Sequence, residues 1–163
     1  ADFEADLGLI FNPPELRGLT VLAQARQRTC AMVAPDHPLA GRASVRLKDC
    51  LDYPIALPDS SLSGRSVLED LFEQSSAQPH PPLVSNSYEM MRGYARAAGG
   101  VSFQIEIGAG PAAGAVAIPI AERGLPSGRL VLVALRERVL PVAAAAFAEF
   151  VTARLGDANQ NGE

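Results

Sequence analysis

The chain has 163 residues, enough for one domain or two small lobes around a buried core. Its 48% hydrophobic and 20% charged fractions exclude a disordered polypeptide. Fourteen basic and eighteen acidic residues give a net charge of −4, which excludes the electrostatic footprint needed to grip a nucleic-acid backbone.

The apolar run Leu7-Gly8-Leu9-Ile10-Phe11, stopped by Asn12-Pro13-Pro14, reads as a buried strand of a parallel sheet. Leu19 to Gln24 and Thr29 to Val33 read as two further extended segments, and Asp36 to Gly41 as a proline-punctuated turn. Leu47 to Leu51 is a short helical turn, ended by Tyr53-Pro54. Ile55-Ala56-Leu57 is a strand that opens into the polar loop Pro58-Asp59-Ser60-Ser61. Ser63 is a candidate N-cap, because Val67, Leu68, Leu71 and Phe72 follow at helical spacing. Leu83-Val84-Ser85 is the next strand and Ser87 the next N-cap. Glu89 sits in that helix's first turn, where the dipole favours an acid, and Gly99-Gly100 ends it. Val101-Ser102-Phe103 is again a strand. Alternation of strand and helix from Ile55 to Phe103 argues a parallel α/β sheet with right-handed crossovers. Gly108 to Gly114 is a flexible connection, and Ala115–Ile120 and Arg129–Leu135 are late strands. Pro141 suits the start of a last helix with Phe147, Phe150, Val151 and Leu155 on one face. Residues 156–163 read as a disordered polar tail.

Catalytic signatures are missing from this pattern. There is no Walker A loop, no G-x-G-x-x-G, no H-E-x-x-H and no G-x-S-x-G. Cys30 and Cys50 lack C-x-x-C spacing and read as free thiols in a reducing cytosol. His37 and His80 flank prolines and build no metal site, so no cofactor and no metal is expected. No stretch reaches the roughly 18 apolar residues of a membrane span. Asp2, Glu4 and Asp6 leave no basic start for a secretory leader.

From Asp6 to Leu155 the chain resembles the effector-binding region of LysR-type transcriptional regulators. Asp6-Leu7-Gly8-Leu9 is similar to that family's first-lobe "D-x-ali" strand, and Ala34 to Ala40 to its "p-x-x-HPLA" segment. Leu47-x-Asp49-x-Leu51 with Tyr53-Pro54-Ile55 resembles its "L-x-d-L-x-x-yPli" segment, and Ala98 to Phe103 its "vaaG-x-Gi" signature. Gly128-Arg129-Leu130, followed by an Ala/Phe helix, resembles the family's ending. Each motif is weak alone; their order and spacing are specific.

The resemblance implies an α/β fold of two Rossmann-like lobes of the periplasmic-binding-protein-like, type 2 kind, with the first lobe incomplete. Residues 1–33 and 108–155 would form the first lobe and 34–107 the second. It implies a sensor without catalysis, cytoplasmic and without membrane association, that binds a small and anionic metabolite between the lobes. It implies a homodimer or tetramer that reaches DNA only through a helix-turn-helix not contained in this sequence. In open α/β sheets ligands sit outside the carboxyl ends of strands, near helix N-termini. The candidate effector-binding residues are accordingly Phe11, Asn12, Ser60, Ser61, Ser63, Asn86, Ser87, Ser102 and Phe103. Each has a bland alternative: Ser63 and Ser87 as plain caps, Asn86 as a turn former, Phe103 as sheet core. Met90-Met91 reads as core, and Arg92 with Arg96 as a solvated face. The rival class is a solute-binding protein of a transport system, which shares the two-lobed architecture; a small enzyme using Cys30 or a serine lacks a recognisable base.

Overall fold

The computed structural model describes residues 5–13, 15–76, 78–109, 114–122, 125 and 128–160. Two compact units emerge: Ala1–Gln27 with Gly128–Glu163, and Arg28–Ser127.

The first unit is a three-stranded antiparallel sheet and one helix. Strand β1 (Leu7–Phe11) and strand β2 (Leu19–Gln27) both pair with the central strand, β8 (Gly128–Leu135). The expectation of a parallel sheet for Leu7–Phe11 is therefore corrected. Its partner is the antiparallel β8, which is buried at six of its eight positions, while within β1 only Phe11 is buried. Helix α4 (Val142–Gln160) packs on this sheet through Ala148 and Leu155. Phe147 and Phe150, expected beside Leu155, are each 57% exposed. The helix also continues through residues 156–160, where a disordered tail was expected; a packed helix propagates one hydrogen bond at a time, and polar residues do not stop it. Residues 161–163 lie outside the described residues.

The second unit is a five-stranded mixed sheet. In spatial order it runs β5 (Leu83–Ser85), β4 (Ile55–Pro58), β6 (Val101–Ile105), β3 (Thr29–Val33) and β7 (Val116–Pro119). Strand β4 is parallel to β5 and β6; β3 is antiparallel to β6 and β7. The sequence placed residues 29–33 and 116–119 in the first lobe, yet both are strands of this sheet. The reason lies in burial. Strand β3 is buried at every position, because both faces of its sheet are covered, whereas β2 is exposed at five of its nine positions.

Alternate residues of these strands point to opposite faces. On one face Ala31, Val33, Ile55, Leu57, Val101, Phe103 and Ile118 form a continuous core with Leu68, Leu71 and Phe72 of helix α2 (Gly64–Gln74) and Leu47 and Cys50 of the short helix α1 (Leu47–Cys50). Phe72 meets Phe103 edge to face at 6.1 Å between ring centroids. On the other face Met91 and Ala95 of helix α3 (Tyr88–Ala98) are buried. Met90, expected in the core with Met91, is 58% exposed.

Two signals fix α3. Ser87 accepts a hydrogen bond from the Met90 amide, and Gly99 ends the helix at φ 58°. Gly100 then turns the chain so closely under Pro54 that a Cβ there would lie 2.1 Å from the Pro54 carbonyl oxygen. Only glycine lets β6 start beside β4.

Candidate functional site

Because β4 and β5 are parallel neighbours, their carboxyl ends open side by side. The loop after β4 carries Asp59, Ser60 and Ser61; the turn after β5 carries Asn86 and Ser87. The Asp59 amide donates to the Ser85 carbonyl at 3.0 Å and ties the two segments together. Ser60, Ser61 and Asn86 are exposed. The Ser61 hydroxyl and amide donate to one Asp59 carboxylate oxygen at 2.6 and 2.9 Å. Those bonds, chiefly the hydroxyl's, hold the Asp59 carboxyl below its usual range. On the other side the Ser87 amide donates to the Ser85 hydroxyl at 3.1 Å. Tyr88 opens α3 with its hydroxyl against Gly64, the first residue of α2; burial raises its phenol above the ordinary value. The starts of two helices and the ends of two parallel strands thus surround one patch of hydroxyls and amides, the arrangement that open α/β sheets use for ligands.

The nearby cations are engaged by the protein itself. Arg65 donates to the Pro58 carbonyl at 3.0 Å and to Glu69 at 2.8 Å. Arg92 pairs with Glu89 and donates to Gln104 at 2.9 Å. Arg92 was expected on a solvated face, but its side chain is only 18% exposed because it reaches inward to the buried Gln104. The groups left at this edge are neutral donors and acceptors, with the Asp59 carboxylate as a charge.

Other candidates are placed differently. Ser63 adopts helical backbone and its side chain makes no capping bond; its carbonyl accepts from the Ser66 hydroxyl instead. Ser102 and Phe103 lie inside β6 and not in a strand-end loop. Ser102 pairs with Ala56 and Met32, is 2% exposed, and its hydroxyl finds no partner among the described residues. Phe103 is core. In the first unit, Phe11 is buried with its ring over Gly128, where a Cβ would approach to 2.2 Å. Asn12 bridges strands: its amide donates to the Arg129 carbonyl and its side-chain oxygen accepts from the Arg129 amide, both at 2.8 Å, at φ 48°. Asp59 and Gln104 were missed by the sequence reading. Asp59 could have been found from Asp-x-Ser after a strand, an Asx-turn pattern; Gln104 carried no signal without the register.

Both cysteines are buried, and burial pushes each thiol up to about 12. His37 is also buried; its Nδ1 accepts from the Leu39 amide at 3.1 Å and its ring packs on Tyr53 at 4.4 Å. Among the described residues no cluster of three or more metal-ligating side chains forms, and no helix is long and apolar enough to cross a membrane.

These features can be set beside known proteins. The LysR substrate binding domain profile matches residues 1–156. The chain therefore belongs to the LysR substrate-binding domain family, whose effector-binding domains have the type 2 periplasmic-binding-protein-like fold. The HTH-type transcriptional regulator SsuR of Burkholderia cenocepacia is 30% identical over 70 residues, 43% of this chain and 23% of SsuR. HinK, a LysR family regulator of Pseudomonas aeruginosa, superposes with a TM-score of 0.69 at 25% identity, over 92% of this chain and 53% of HinK. The regulatory domain of CcmR from Synechocystis PCC6803, solved with 2-PG, gives a TM-score of 0.69 at 20% identity, over 93% of this chain and 74% of that one. The effector binding domain of QuiR, solved with shikimate, gives 0.68 at 22% identity, over 93% and 72%. The chain thus spans about half the length of HinK and covers less than a quarter of SsuR.

Proposed function

We propose that this chain is the ligand-sensing part of a LysR-type transcriptional regulator, and that Ser60, Ser61, Asn86 and Ser87 contact its effector. The observation that carries the reading is the Asp59–Ser85 hydrogen bond, which gathers four polar residues from two loops at the carboxyl ends of adjacent parallel strands. The effector is a small organic acid. Its carboxylate is met by hydroxyls and by amides at helix starts, and a ligand hydroxyl or amine faces Asp59. No chemistry is done on it. Its unequal affinity for two conformations of the regulator is what shifts DNA binding, through a helix-turn-helix outside this sequence. The regulator is cytoplasmic and works as a homodimer or tetramer. The outer edge of β1, where Leu9 is 55% exposed, has no strand partner among the described residues and supplies an edge for self-association.

Calorimetry of the intact regulator against a panel of hydroxylated and amino organic acids tests this. One or more acids should bind, and the combined Ser60→Ala, Ser61→Ala, Asn86→Ala variant should weaken that acid at least 10-fold. Unchanged affinity in the variant would remove these residues from the site. A panel without a single binder would overturn the acid assignment.

A further inference from the structure

A polar depression lies in the five-stranded unit, lined by residues that the sensor site does not use. It has a volume of about 380 Å³ and is lined by Arg46, Leu71, Gln74, Ser75, Ala121 and Glu122. That is the size range of small-ligand pockets. The walls come from three places in the chain. Arg46 precedes α1, Gln74 and Ser75 end α2, and Ala121 and Glu122 follow β7.

Backbone hydrogen bonds tie two of these walls together. The Val45 amide donates to the Pro119 carbonyl at 3.0 Å and the Ala121 amide to the Val45 carbonyl at 2.8 Å. Glu122 is oriented by the Leu47 amide, which donates to its Oε1 at 2.8 Å. Its other oxygen has no hydrogen-bond or ion-pair partner among the described residues. The Arg46 guanidinium has no ion-pair partner among them either. Leu71, 3% exposed, gives an apolar floor. The third wall is the last turn of α2, where Ser75 and Ser76 satisfy the Leu71, Phe72 and Glu73 carbonyls and the helix dipole is negative; that turn holds no basic side chain of its own.

The pocket therefore presents one cation and one carboxylate oxygen on neighbouring segments, beside the negative end of a helix. We propose that it binds a small zwitterion, with a carboxylate on Arg46 and a protonated amine on Glu122 near the negative end of α2, as a short α-amino acid provides. A simple acid meets Arg46 and leaves Glu122 unpaired. A simple amine does the converse. Only a molecule bearing both charges a few ångströms apart satisfies both, and charge-assisted hydrogen bonds give it orientation. This site is independent of the effector reading, since it shares no residue with the Asp59–Ser85 edge.

The test is NMR titration of the chain with L-alanine, with propionate and ethylamine as single-charge controls. L-alanine should shift the amides of Leu47, Gln74 and Ser75 saturably, and each control should need at least 10-fold higher concentration. Arg46→Gln and Glu122→Gln should each weaken L-alanine at least 10-fold. The glutamine at 122 keeps an oxygen to accept from Leu47, so the fold is preserved and its spectrum reports that. Equal responses to all three probes, no saturable shift, or L-alanine binding indifferent to both substitutions would overturn the proposal. Loss of the L-alanine shifts in the Ser60, Ser61 and Asn86 variant, with the pocket variants unaffected, would relocate the binding to the sensor edge and overturn it too.

Discussion

The two units bury their apolar residues to different degrees. In the five-stranded unit helices cover both faces, and Phe103, Val101, Met32 and Met91 are at most 2% exposed. In the three-stranded unit Leu9, Val21, Leu22, Phe147 and Phe150 are all exposed by more than a third. A sheet with one helix has one covered face, and side chains on the other face and on the outside of the helix stay in water. The comparison teaches that the two units answer differently to the same kind of substitution, and that the apolar surface of the smaller unit suits association.

The largest contrast comes from truncating a phenylalanine in each. Phe103→Ala should cost about 3–5 kcal/mol, by lost transfer and a cavity beside Phe72. Urea unfolding should show it as a lower midpoint at unchanged slope, with no loss of soluble protein at low denaturant. Equal losses for Phe103→Ala and its exposed counterpart Phe150→Ala would erase the contrast. Next comes Gly100→Ala. Its methyl would meet the Pro54 carbonyl at 2.1 Å, and backbone must move, so a loss of about 3 kcal/mol is expected in the same assay. Wild-type stability in this variant would mean that β6 starts elsewhere.

The thiols sharpen the comparison, since both belong to the larger unit. Burial raises Cys30 and Cys50 to about 12 when folded, above the ordinary thiol value near 8.5. The stability this represents is fully present below pH ~8.5 and is lost as pH rises toward 12, because the unfolded chain releases those protons first. Alkaline thermal melts of the Cys30→Ala, Cys50→Ala double variant should therefore be flatter with pH than those of the parent. Smaller again is Ser87→Ala. Loss of the cap on the Met90 amide should cost about 1 kcal/mol. Ser63→Ala should cost less than 0.5 kcal/mol, because Ser63 makes no capping bond. Phe150→Ala, at 57% exposure, should also stay within about 0.5 kcal/mol.

Much of this was legible in the sequence. Ser87 and Gly99 bracket α3 as capping chemistry requires, and the β4–α2–β5–α3–β6 alternation follows from hydrophobic period and punctuation. What the sequence hid depends on partners. Both Ser63 and Ser87 precede apolar helices, yet only Ser87 has extended backbone that lets its hydroxyl reach back. Strand β3 reads like any short apolar run, and only its two neighbours reveal it as interior. The loops after β4 and β5 were legible as strand-end polar segments. That one amide joins them, and that Ser102 turns away from them into the sheet, are facts of register.

The chain leaves the small unit at Gln27 and re-enters it at Gly128, and these two residues face each other as Cα partners on β2 and β8. Topologically the larger unit is an insertion whose entrance and exit are the two sides of one rung of a ladder. Such an insert can be grafted or circularly permuted with a short splice, because the residues that flank it, Gln27 and Gly128, already sit opposite each other.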